Sequence, residues 1–92
     1  MNAEKAEIVG IQALGWLISN DDVSGAFLNM SGLSVDELKT RAGDPEFLGF
    51  VLEFLLSDEA SLLTFCEDNS LPNESVAQAR AALPGGDVYN WT

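Results

Sequence analysis

Between Asp44 and Cys66 the chain reads DPEFLGFVLEFLLSDEASLLTFC, a run so apolar that the rest of the fold has to be arranged to cover it. Its opening carries explicit helix-start chemistry. Asp44 can accept from free backbone N–H groups, Pro45 suits the first helical position, and Glu46 sits where negative charge complements the helix dipole. Phe47, Leu48, Phe50, Val51, Leu52, Phe54, Leu55 and Leu56 then leave only Glu46, Gly49, Glu53 and Ser57 as a non-apolar stripe. So narrow a stripe predicts a helix that faces other helices on most of its sides. At about twelve residues it spans roughly 18 Å, well short of the ~20 apolar residues a membrane crossing needs. Ser57-Asp58-Glu59 interrupts the run, and a second buried helix restarts with Leu62, Leu63, Phe65 and Cys66. Phe47, Leu48, Val51, Leu52, Leu55, Leu62 and Phe65 are the expected core of this centre.

The other segments read as cover. From Asn2 or Ala3 to about Ile18, Ile8, Ile11, Leu14, Leu17 and Ile18 recur at helical spacing, while Lys5, Gln12 and Ser19 mark a polar side. Ala6, Gly10, Ala13 and Gly15 are small enough to let a neighbouring helix come close. Trp16 lies near the polar side, so its ring is expected at the edge of the core, with contact to a partner as the sharper reading. Asn20-Asp21-Asp22 breaks this helix and starts one with Val23, Phe27, Leu28 and Met30, which Gly32 stops. Ser34 and Glu37 form a capping box with Leu33 placed to staple onto Leu38, and this third helix ends by Gly43. The last helix is expected from Pro72 to Leu83, with Val76, Ala79 and Leu83 as its apolar stripe and Pro84-Gly85-Gly86 as its stop.

A shift of 38 positions lays Gly15-Trp16-Leu17-Ile18-Ser19-Asn20-Asp21 onto Glu53-Phe54-Leu55-Leu56-Ser57-Asp58-Glu59, and puts Phe27 on Phe65, Leu28 on Cys66, Leu33 on Leu71 and Leu38 on Val76. Each half then reads as long helix, break, short helix, turn, third helix. Either a duplicated unit, residues 15–42 and 53–80, or the common composition of helical cores accounts for this. The expectation is one all-α domain over residues 1–86, a single compact orthogonal bundle of about six helices. Residues 87–92 form an aromatic tail in which Tyr89 and Trp91 either cover an open edge of the core or anchor a partner.

Charge narrows the function classes. Four basic against fifteen acidic residues give a net charge of −11, which opposes direct contact with nucleic acid or an anionic membrane. Asp21, Asp22, Asp36, Glu37, Asp44, Glu46, Asp58, Glu59 and Glu74 fall at or near helix starts, and Lys39, Arg41 and Arg80 toward helix ends, so much of the charge has a structural post. With 47% hydrophobic residues the chain reads as folded. The absence of histidine removes the commonest general base and most zinc sites. Cys66, the single cysteine, cannot form an intrachain disulfide, and its match to Leu28 makes it a small apolar core residue. No catalytic, cofactor or metal constellation stands out, and no secretory signal is legible.

IQALGWL (Ile11 to Leu17), DPEFLGFVLEFLLSDEASLLTF (Asp44 to Phe65) and ARAALPGG (Ala79 to Gly86) together resemble a small bacterial family of helical proteins, itself of unknown function. The likeness covers nearly the whole chain. The family often opens its second helix with Asp-Pro, where this chain has Asp21-Asp22. The resemblance implies a stand-alone cytoplasmic helical protein and supplies no activity, cofactor or functional residue. The leading expectation is a monomeric, non-enzymatic interaction protein that binds a protein partner, with Trp16, Tyr89 and Trp91 as candidate contacts. An acidic mimic of nucleic acid that occupies a DNA-binding protein, and a carboxylate-based enzyme, are the alternatives.

Overall fold

The computed structural model describes residues 1–83, and of Asp22 the backbone alone. These residues form α1 (Ala3–Ser19), α2 (Asp21–Ser31), α3 (Val35–Thr40), a short 3-10 turn (Arg41–Gly43), α4 (Pro45–Ser57), α5 (Glu59–Asp68) and α6 (Ser75–Ala82). The fold is all-α. The stop expected at Pro84-Gly85-Gly86 and the tail with Tyr89 and Trp91 lie outside the described residues.

The helix starts follow from local chemistry. Asn2 accepts from the Lys5 N–H at 2.8 Å to open α1, and Asp44 accepts from the Glu46 N–H at 3.0 Å with Pro45 as the first residue of α4. Both halves of the capping box at α3 are present. The Glu37 N–H donates to Ser34 Oγ at 3.2 Å, and the Ser34 N–H donates to Glu37 Oε1 at 3.0 Å. The Ser34 backbone N–H first, and the Ser34 hydroxyl second, hold the Glu37 carboxyl below its ordinary pKa. Asp58 stands in extended backbone between α4 and α5 and accepts from the Ser61 hydroxyl at 2.8 Å.

α4 lies at the centre, with Phe47, Leu48, Gly49, Val51, Leu52, Phe54 and Leu55 all buried. Gly49, expected on the polar stripe, is therefore a core residue; so many helices surround α4 that even part of its non-apolar side is covered. Phe65 and Cys66 are buried on α5, whereas Leu62 is only half-buried. The last helix begins at Ser75 rather than Pro72. Residues 72 to 75 make a single turn, closed by the Ser75 N–H on the Pro72 carbonyl at 3.0 Å, before the helix proper starts. Its Val76, Ala79 and Leu83 are buried as expected, and Arg80 reaches back to α4, donating to Glu53 at 3.2 Å.

α1 departs most from the expected pattern. Its inward face is Ala6, Val9, Gly10, Ala13, Leu14 and Leu17, while Ile8 and Ile11 are 52% and 49% exposed. The reason is proximity. α1 packs closely on both α4 and α6, and at Gly10 a Cβ would come within 2.8 Å of Leu48 Cβ. Small side chains permit that approach, and burying the isoleucines in their place would push α4 away.

Landmarks of the first half recur 38 positions later. Both long helices end at matching places, at Ser19 and Ser57, and the breaks Asn20 and Asp58 are both extended. Gly32 (φ 72°) and Ser70 (φ 55°) adopt left-handed backbone after the second helix of each half. Trp16 meets Phe65 edge-on with centroids 5.8 Å apart, and Phe54 meets Phe27 edge-on at 5.0 Å. The shift turns each of these ring pairs into the other, and it turns Gly10 into Leu48, its own contact.

Candidate functional site

The outward side of α1 is built by the same helix geometry that builds its inward side. Ile8, Ile11, Gly15 and Ile18 recur at spacings of three and four, which places them along one side of the helix. Ile8 and Ile11 stand about half in solvent, and nothing lies within 4 Å of where a Gly15 side chain would begin. Ile18 then runs into a shallow apolar notch where the end of α1 meets α2 and α3. Leu17, Phe27 and Leu38 are its buried floor, Ile18, Leu28 and Val35 its half-covered rim, with Val35 37% exposed. The notch itself holds about 10 Å³, room for one water at most. It suits the tip of an apolar side chain and is too small for a ligand.

Acidic side chains border this surface. Glu4 and Glu7 stand one turn before Ile8 and Ile11, and Asp36 follows Val35. By the same spacing Lys5 stands one turn before Ile8 and Lys39 one turn after Val35.

Trp16, the one candidate contact among the described residues, is half-buried and already committed within the chain. Its indole N–H donates to Asp68 at 2.8 Å, and its ring packs edge-on against Phe65, so it fastens α1 to α5. It also borders a groove of about 160 Å³ shared with Asn20, Val23, Ala60, Ser61 and Thr64. The other two candidates, Tyr89 and Trp91, lie outside the described residues. Ile8 and Ile11, which line the outward face, are absent from the sequence-derived contacts because isoleucine at helical spacing reads as core. The available signal was the competing stripe of Ala6, Gly10 and Ala13.

Among the described residues no group of three or more His, Cys, Asp or Glu side chains converges to hold a metal ion. Cys66 is buried, and burial first, then the nearby Glu74 charge, pushes its thiol above the ordinary pKa. No helix of the described residues is long and apolar enough to cross a membrane.

The profile of a family described as "Protein of unknown function (DUF3572)" matches residues 3–86 of the chain. No curated protein and no solved structure matches it.

Proposed function

We propose, from the premise that the chain belongs to the DUF3572 family of proteins of unknown function, that it is a non-enzymatic binding module whose contact surface is the outward side of α1. The observation that carries this reading is the exposure of Ile8 and Ile11 at 52% and 49% on a helix whose inward face is alanine and glycine. At about half exposure each isoleucine forgoes roughly half of the ~1.5–3 kcal/mol that full burial gives, and two in line beside an apolar notch form the kind of patch that partners cover. The chain acts as a monomer in a reducing compartment, the cytoplasm, where the lone Cys66 stays a thiol. The charge of −11 supports the mimic of nucleic acid less well, since several of the acids have structural posts. Asp44 caps α4, Glu37 closes the α3 box, Asp68 holds Trp16 and Glu53 pairs with Arg80.

The test is recovery of bound protein by the tagged chain and by its Ile8→Glu/Ile11→Glu variant, each at low and moderate salt. Loss of a salt-tolerant partner in the variant is expected. A partner that the variant retains and that salt removes would replace this reading with the mimic.

A further inference from the structure

Resting on the reading of α1 as the contact surface, we infer that its occupant is an amphipathic helix of another protein, apolar on one side and flanked by lysine or arginine. It lies along α1 over Ile8, Ile11, Gly15 and Ile18, with one apolar side chain in the notch at Val35.

The shape of the occupant comes from comparing the two halves. Moving Ile8, Ile11, Gly15 and Ile18 by 38 positions gives Glu46, Gly49, Glu53 and Leu56 on α4. There Glu46 and Leu56 stay exposed at the two ends, while between them Gly49 is buried and Glu53 is bridged by Arg80 of α6, a helix that packs closely on α4. The matching third helix of the first half, α3, stops at Thr40 and gives way to the 3-10 turn, and it packs closely on neither α1 nor α4. Ala42 stands where Arg80 would be and Gly15 where Glu53 would be, so the partial cover that α6 provides at the middle of α4 has no matching bridge over α1. What fits along that open side is a helix. Ile8 to Ile18 spans roughly 15 Å, the reach of about ten helical residues.

The charge of the occupant follows from the net charge of the chain. Glu4, Glu7 and Asp36 border the patch together with Lys5 and Lys39, and the chain as a whole, at −11, attracts a basic segment from a distance while repelling a second copy of itself. Apolar anchors at helical spacing with basic flanks therefore complement this surface in both respects.

The experiment is an NMR titration of the full chain with three synthetic helical peptides. One has a leucine face and lysine flanks, one keeps the leucines with glutamate flanks, and one keeps the lysines with serine in place of leucine. The Leu/Lys peptide is expected to shift the amides of Ile8, Ile11, Gly15, Ile18, Leu28 and Val35, and to bind at least about tenfold more tightly than either control. An Ile8→Ser/Ile11→Ser variant of unchanged melting temperature is expected to lose about as much. If the Leu/Glu peptide binds the same amides equally well, the basic occupant is wrong while α1 remains the contact surface. If the Ser/Lys peptide binds as tightly, charge alone drives association and the helix-in-groove inference falls. Shifts confined to other elements would overturn both this inference and the reading on which it rests, and a dimer joined through α1 would replace the foreign helix with a second copy.

Discussion

Gly10 of α1 faces Leu48 of α4 so closely that a Cβ added to the glycine would stand 2.8 Å from the leucine Cβ. The contact leaves no room for a methyl group, and the leucine atom concerned is fixed to the backbone of α4. Gly15, five residues along the same helix, has nothing within 4 Å.

Alanine should therefore act in opposite directions at the two sites. Gly15→Ala is expected to raise stability by about 0.5–1 kcal/mol through helix propensity. Gly10→Ala should lower it by about 1–3 kcal/mol through overpacking. Urea denaturation of both variants measures the difference, and equal effects would show that α1 and α4 do not meet at Gly10.

Ser70 holds a left-handed backbone (φ 55°) at the end of α5, where the Leu71 N–H reaches the Cys66 carbonyl at 2.8 Å and the Ser70 N–H reaches that of Glu67 at 3.2 Å. That is the bonding of a glycine-type helix stop built with serine. Ser70→Gly should raise stability by about 1 kcal/mol, because glycine takes this conformation without the Cβ clash. A loss of stability on thermal melting would contradict this.

Cys66 is buried, with its thiol pushed up by the loss of water around it and then by Glu74. A thiol reagent should modify the native protein far more slowly than the urea-unfolded chain. Equal rates in the two states would place Cys66 at the surface.

The Glu37 carboxyl, held low by its bonds to Ser34, gives a pH dependence of known sign. Its folded pKa lies below its unfolded one. The charged cap therefore stabilises the fold above the ordinary carboxylate range, and that contribution is lost as pH falls through the folded pKa. The melting-temperature gap between the wild type and Glu37→Gln should be small, present at neutral pH and closed in acid. A gap that persists unchanged in acid would remove Glu37 from the cap.

Much of this fold was legible because its signals are local. Ser34 with Glu37, and Asp44 with Pro45, announce helix starts through atoms two or three residues apart. The apolar density of α4 leaves it nowhere to lie but the centre. The inward face of α1 was not legible, since Ile8-Ile11-Leu14-Leu17-Ile18 and Ala6-Val9-Gly10-Ala13-Leu17 are both helical stripes. Hydrophobicity favours the first, and the choice is made by how near α4 comes, a tertiary distance that no local pattern contains. Pro72 misled for a related reason. It fits the first helical position equally well at the head of a single turn, and α6 begins three residues later. The proposed contact surface was hidden by the same ambiguity, because its isoleucines look like core until the competing stripe of Ala6, Gly10 and Ala13 is seen to be buried.

Everything proposed for α1 depends on its isoleucines facing outward, and thermal melting of two variants measures this directly. Ile8→Gln/Ile11→Gln should leave the melting temperature within about 2–4 °C of wild type, as substitutions on a surface do, or raise it. Leu17→Ala on the inward face should cost about 2–5 kcal/mol, several times that shift. If the isoleucine variant melts as far below wild type as Leu17→Ala does, Ile8 and Ile11 belong to the core and the outward side of α1 is not a contact surface.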